Sequence, residues 1–197
     1  MAEPIADFGV CVLAGGESTR LPGKLERPVD GTPLILHVYR GLRDARYPIF
    51  VSSNRSFSAE VDGALDCPVV IDRWPKSGPL GAMISAFGEM PVRRILVAAG
   101  DAPFVTREIV ERLRYAWCDG DEAVVARSGT VIEPLCAIYD RAAFLREAWP
   151  RFTQGTRSVK GVVDALETRF VDFRDGSAFA GVNTEADYRA ACARGTS

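Results

Sequence analysis

Three runs of almost unbroken apolar residues constrain the fold of this chain more than any other feature: FGVCVLA (8–14), YPIFVSS (47–53) and RRILVAAGD (93–101). A strand with one wet face alternates apolar and polar residues, whereas a strand covered on both faces reads as a continuous apolar stretch. Segments of helical spacing fall between the runs. In TPLILHVYRGLRDA (32–45), Pro33 sits near the expected start, and in TREIVERLRYAWC (106–118) Thr106 is the expected N-cap. Further strands are expected at CPVVID (67–72), DEAVVAR (121–127), PLCAIYD (134–140) and TRFVDF (168–173). Further helices are expected at 57–65, at 78–90 (opened by Gly78-Pro79), at 141–149, at 157–167, and at 183–193 with Asn183 or Thr184 as cap. Strands alternating with helices specify an α/β fold: a mostly parallel central sheet with helices on both faces.

The bulk properties narrow the partners. A chain of 197 residues suits a single domain, 1–197, and buries about 70% of its unfolded surface without staples. The net charge of −2 argues against a nucleic-acid partner. The five cysteines are odd in number, and neither C-x-x-C spacing nor a histidine cluster accompanies them. They are expected to be free thiols, mostly buried, in a reducing compartment. The N-terminal MAEPIADFG lacks the basic region of a secretory leader, and no apolar run reaches the roughly 20 residues of a membrane helix, so a cytoplasmic protein is expected.

Ligands of parallel α/β sheets bind beyond the carboxyl ends of the strands, and the chemistry-bearing residues cluster there. The first strand runs into CVLAGGESTRLPGK (11–24). This loop matches neither G-x-G-x-x-G nor G-x-x-x-x-G-K-[ST]. Gly15 and Gly16 lack a Cβ, so a base or phosphate can approach the backbone, while Arg20 and Lys24 add fixed positive charge. The plain alternative is a surface turn with solvated cations. Asp101 closes the most apolar strand, between Gly100 and Ala102-Pro103. A carboxylate at that edge suits Mg²⁺, with phosphates supplying other oxygens; the plain alternative is a turn or cap aspartate. Asp72 stands at the end of the third strand. His37 reads as structural, and Trp74, Trp117 and Trp149 read as packing residues.

Taken together, these motifs resemble the molybdenum cofactor guanylyltransferase family, from Val10 to about Tyr188. Leu13-Ala14-Gly15-Gly16 with Ser18 and Arg20 looks like the family's L-A-G-G-x-S-x-R opening, and Gly31-Thr32-Pro33-Leu34 like its G-x-P-L, which places Lys24 as the loop lysine. Asn54-Arg55 is similar to the end of N-x-N-R, and Gly78-Pro79-Leu80-Gly81 to G-P-L-A/G. Gly100-Asp101-Ala102-Pro103-Phe104 resembles G-D-x-P-F, and Val182-Asn183-Thr184 resembles V-N-T. Four departures stand out: a shortened loop at LPGKLERPVDG, Ser52 where asparagine is common, Gly181 where some members have a second asparagine, and Glu133 before Pro134.

The resemblance implies a Rossmann-like three-layer sandwich of the nucleotide-diphospho-sugar transferase type. It implies Mg²⁺-dependent transfer of GMP from GTP to molybdopterin, with release of pyrophosphate. Leu13, Ala14, Gly15, Gly16, Ser18 and Gly78 would then line the nucleotide, and Asn54 and Asp72 would hold ribose and guanine. Arg20 and Lys24 would neutralise the triphosphate, Asp101 would bind Mg²⁺, and Asn183 would sit near the metal or the pterin phosphate. Independently of the resemblance, the less regular pattern of 150–180 marks it as the stretch where a second substrate is expected to dock. A monomer, with transient contacts to proteins that deliver molybdopterin or mature molybdoenzymes, is the expected working form. Three alternatives remain open: CTP as the donor to molybdopterin, a sugar phosphate or phospholactate as the acceptor, and a nucleotide-binding protein without turnover.

Overall fold

The computed structural model describes residues 6–195 apart from Glu17 and Ala45. The leader reading therefore rests partly on residues 1–5, which lie outside the described residues, as does Ala45 at the end of the first predicted helix. The strands are β1 (Ala6–Leu13), β2 (Pro28–Val29), β3 (Thr32–Pro33), β4 (Ile49–Ser53), β5 (Val69–Ile71), β6 (Val92–Ala99), β7 (Ala123–Ser128), β8 (Val131–Asp140) and β9 (Thr168–Asp172). The helices are α1 (Leu34–Leu42), α2 (Ala59–Ala64), α3 (Gly78–Glu89), α4 (Arg107–Ala116), α5 (Arg141–Thr153), α6 (Val159–Val163) and α7 (Glu185–Arg194).

The central sheet has the order β5-β4-β1-β6-β8-β7-β9. The first four strands are parallel, β8 runs antiparallel to β6 and β7, and β9 is parallel to β7. Successive side chains of a strand point to opposite faces, and β1 shows the consequence. Val10 and Val12 pack with Leu36 of α1 and Leu113 of α4, whereas Cys11 and Leu13 pack with Met83 of α3 and Phe144 of α5. Both faces are apolar and both are covered, so the run 8–14 has no polar phase.

Strand order reverses at β1. Its neighbours are β4 on one side and β6 on the other, and a crevice opens at such a switch point beyond the strand ends. The two strand ends meet closely there. The Gly100 N–H donates to Leu13 O at 2.8 Å, and a Cβ on Gly100 would lie 2.9 Å from both Leu13 O and Ile35 Cδ1. Only a residue without a side chain lets the backbone that carries Asp101 come this near to β1.

Several boundaries differ from expectation for identifiable reasons. The first predicted helix begins at Leu34, because Thr32 and Pro33 pair with β2 around a tight Asp30-Gly31 turn. The fifth predicted helix continues past Pro150 to Thr153. Proline removes one N–H there, but Phe152 is buried against Trp74 and keeps the last turn in place. The predicted helix 157–167 shrinks to α6, followed by tighter turn bonds from Ala165 N to Val162 O and from Leu166 N to Val163 O. Thr106 occupies the cap position of α4, yet its side chain makes no capping hydrogen bond. At α7 the cap is Thr184, in a reciprocal capping box with Asp187. All five cysteines are free, but only Cys11 and Cys136 are fully buried, while Cys67 and Cys192 are partly covered and Cys118 is exposed. Among the described residues, no helix is long and apolar enough to cross a membrane.

Two outcomes test this packing. Gly100→Ala should cost about 1–3 kcal/mol of stability by overpacking, read from urea unfolding. Burial pushes the Cys11 and Cys136 thiols up to about 12, so both stay neutral at pH 8. Iodoacetamide should therefore label Cys118 in the native protein and reach Cys11 and Cys136 only after denaturation, as peptide mapping would show.

Candidate active site

The site is built from the carboxyl ends of β1, β4, β5 and β6. Backbone groups at the end of β1 are used by the sheet: Ala14 N–H donates to Ser52 O at 2.7 Å, and Leu13 O accepts from Gly100. Gly15 and Gly16 follow on the surface. Beside them lies a cavity of about 440 Å³ bounded by Leu13, Gly15, Gly16, Asn54 and the start of α3 at Gly78. Asp72 and Asp101 both line it. They follow β5 and β6, three strand spacings apart, which is roughly 14 Å at about 4.8 Å per strand. That span suits an extended ligand with a head group at one carboxylate and charged groups at the other.

Around Asp101, three residues far apart in sequence converge. The Lys24 ammonium donates to Asp101 Oδ2 and, at 2.8 Å, to Asn183 Oδ1. The Asp101 carbonyl accepts from Val182 N at 2.8 Å. Asn183 Nδ2 donates to Gly181 O at 3.1 Å. Gly181, one of the departures noted in the sequence, has a steric reason here: a Cβ at this position would lie 2.9 Å from Asp101 Oδ1 and 3.0 Å from Asn183 Nδ2. Behind the cluster, Asp187 accepts from Asn183 N at 3.0 Å and Thr184 N at 2.8 Å. These bonds, the Asn183 N–H foremost, hold the Asp187 carboxyl below its usual range.

The loop carrying Lys24 is fixed to the same helix. Arg27 pairs with Glu185 at 2.7 Å and lies over the Tyr188 ring at 4.1 Å, and the Tyr188 hydroxyl donates to Pro28 O. Beneath these contacts a small apolar cluster joins Leu21, Val29 and Leu34 to Val182 and Ala191. The loop and α7 thus set the lysine and the asparagine as one unit.

The other carboxylate is held differently. Asp72 is buried, and its Oδ1 accepts from Trp74 N at 2.9 Å and from Ser85 Oγ at 3.0 Å. The Ser85 hydroxyl itself accepts from Arg73 N at 3.0 Å. Asp72 is thereby locked in orientation at the edge of the cavity.

Most of the sequence-predicted residues come together. Leu13, Gly15, Gly16, Lys24, Asn54, Asp72, Gly78, Asp101 and Asn183 line the main cavity. Ser18 and Arg20 line an adjoining one of about 250 Å³ that shares Gly15, Gly16, Lys24 and Asn183. Ala14 lines neither, being buried with its N–H in the sheet. His37 is structural, its Nε2 donating to Val29 O at 2.6 Å. Ser52 is buried, and its hydroxyl finds no hydrogen-bond partner among the described residues. Glu133 lies on β8, where burial raises its carboxyl. Sequence reading missed Ser85, Lys76 and Leu135. Ser85 had one signal, a lone hydroxyl inside the apolar run of α3; Lys76 and Leu135 had none, since only the fold brings them to the cavity.

At the switch point of an α/β sheet, a glycine loop and cations thus face two carboxylates across a cleft, where an anionic ligand has room to bind. The family model of the MobA-like NTP transferase domain matches residues 10–169, and the chain belongs to that family. It is 33% identical over 187 residues to a molybdenum cofactor guanylyltransferase from Burkholderia orbicola (strain MC0-3), covering 88% of this chain and 89% of the relative. A protein of the same name from Ralstonia nicotianae is 26% identical over 199 residues, covering 94% and 96%. The fold also matches the crystal structure of molybdopterin-guanine dinucleotide biosynthesis protein A from Archaeoglobus fulgidus, with a TM-score of 0.78, 23% identity, and coverage of 95% of this chain and all of the other.

Ser85→Ala should leave Asp72 with one Oδ1 partner and Arg73 N–H with none. A loss of about 1–3 kcal/mol in urea unfolding and weaker nucleotide binding by calorimetry are expected together.

Proposed function

We propose that the protein transfers GMP from GTP to molybdopterin, forming the guanine dinucleotide and releasing pyrophosphate with Mg²⁺. The observation that carries this reading is the convergence of Lys24, Asp101 and Asn183 on one point of a cavity that also exposes the fixed Asp72. The relatives named as molybdenum cofactor guanylyltransferases support guanine as the base and molybdopterin as the acceptor.

The donor set fits a divalent ion completed by substrate. Among the described residues, no three acidic, histidine or cysteine side chains gather to hold a metal by themselves. Mg²⁺ commonly takes one or two protein oxygens, with phosphate and water for the rest. The Lys24 ammonium, seated between Asp101 Oδ2 and Asn183 Oδ1, marks where those oxygens receive positive charge. Bound there, the ion would screen the phosphates and polarise the α-phosphoryl group.

The chain's own residues account for the remaining chemistry. Gly15 and Gly16 admit the nucleotide against the backbone. Asp72 presents a fixed acceptor suited to the N1–H and 2-amino donors of guanine, an edge that cytosine lacks. Arg20 and Lys24 face the triphosphate, so the leaving pyrophosphate departs into positive charge. The attacking group is an acceptor phosphate oxygen, already anionic, so no side-chain base is required. As its bond to the α-phosphorus forms, the bond to the bridging oxygen of pyrophosphate breaks. The work of the site is therefore alignment and charge screening.

The test supplies purified protein, Mg²⁺ and molybdopterin with GTP, CTP or ATP, and identifies the product by mass. A guanine dinucleotide from GTP alone supports the reading. A cytosine product would overturn the base, and no pterin product would overturn the acceptor. Asp101→Ala should lower turnover about a hundredfold or more with an unchanged circular dichroism spectrum. Lys24→Ala should likewise lower kcat/KM without unfolding the protein.

A further inference from the structure

We infer that Lys24 is an exchangeable cation: its ammonium holds the oxygens the divalent ion needs until a triphosphate draws it away, so the metal enters with the nucleotide and not ahead of it. This rests on the reading above that Asp101 is the metal ligand.

Two of the three N–H donors of Lys24 are committed to Asp101 Oδ2 and Asn183 Oδ1. The side chain is only 12% exposed and that of Asp101 20%, so water screens the pair poorly. A divalent ion on the same oxygens would sit against the ammonium, and two like charges at that distance repel strongly. Lys24 and the metal therefore cannot share the position.

The lysine has somewhere else to go. It lines both the main cavity and the adjoining one that holds Ser18 and Arg20. Its loop is held by buried Leu25 and by the Arg27–Glu185 pair, so the exchange is a swing of the four-carbon stem and not of the backbone. A triphosphate carries more negative charge than one carboxylate and competes well for the ammonium. The released Asp101 and Asn183 oxygens then combine with phosphate oxygens to complete the metal shell. By linkage, triphosphate and metal raise each other's affinity by the same factor.

The test measures Mn²⁺ binding from loss of the free-ion electron paramagnetic resonance signal, with and without GTP, each GTP reading taken against the same GTP and Mn²⁺ without protein. Lys24→Met, and Lys24→Gln as a variant that keeps a polar end, should each bind Mn²⁺ at least about tenfold more tightly than wild type in the absence of nucleotide. Adding Asp101→Asn to Lys24→Met should erase that gain. Arg20→Met removes a nearby charge that does not touch Asp101 and should give a much smaller gain. Equal Mn²⁺ affinity in wild type and both Lys24 variants, with GTP still recruiting the ion, would overturn the exchange and leave the metal assignment standing. A gain in Arg20→Met as large as in Lys24→Met would also overturn it, as a general charge effect. If GTP recruits Mn²⁺ equally well to Asp101→Asn, the metal assignment falls and the inference with it.

Discussion

The contact between the ends of β1 and β6 is the constraint on which the site depends. Gly100 donates its N–H to Leu13 O and has no room for a Cβ. This closeness puts the glycine loop that follows β1 beside the carboxylate that follows β6. Each strand is held by continuous apolar faces on both sides, so the junction is backed by two cores. The polar residues that line the cavity are mostly loop residues, but their positions are set by the sheet.

Charge is organised in two different ways across the cleft. Asp72 is fixed by neutral donors, the Trp74 N–H and the Ser85 hydroxyl. Neither donor carries a formal charge, so these bonds orient the carboxylate without pairing it to a cation. Asp101 is instead met by an ammonium on a long flexible stem. A contact of that kind joins two loops without fixing the lysine's stem, which is what the proposed exchange requires. The clamp of Arg27, Glu185 and Tyr188 keeps the lysine's backbone in register with Asn183, so the proposed exchange would move its side chain alone.

Much of this was legible in the sequence. Unbroken apolar strands announced a sheet covered on both faces, and the polar residues at the strand ends are the ones that line a cavity beyond it. The antiparallel pair that β7 and β8 form was not read from the sequence, although the segments 121–127 and 134–140 have no helix between them and a parallel pair needs a crossover of a dozen residues or more. Ser85 was obscured because one hydroxyl in an apolar helix has no meaning until Asp72 lies next to it. Gly181 looked like a missing asparagine; in the fold a Cβ there would crowd the side-chain ends of Asp101 and Asn183.

The sequence by itself determined the class of fold and the identity of the charged residues, because hydrophobic periodicity and residue type are local properties. The partnership of Lys24 with Asp101, 77 positions away, and with Asn183, 159 positions away, was decided only by the tertiary structure. Strand order and loop closure set distances across the sheet, and no spacing along the chain records them.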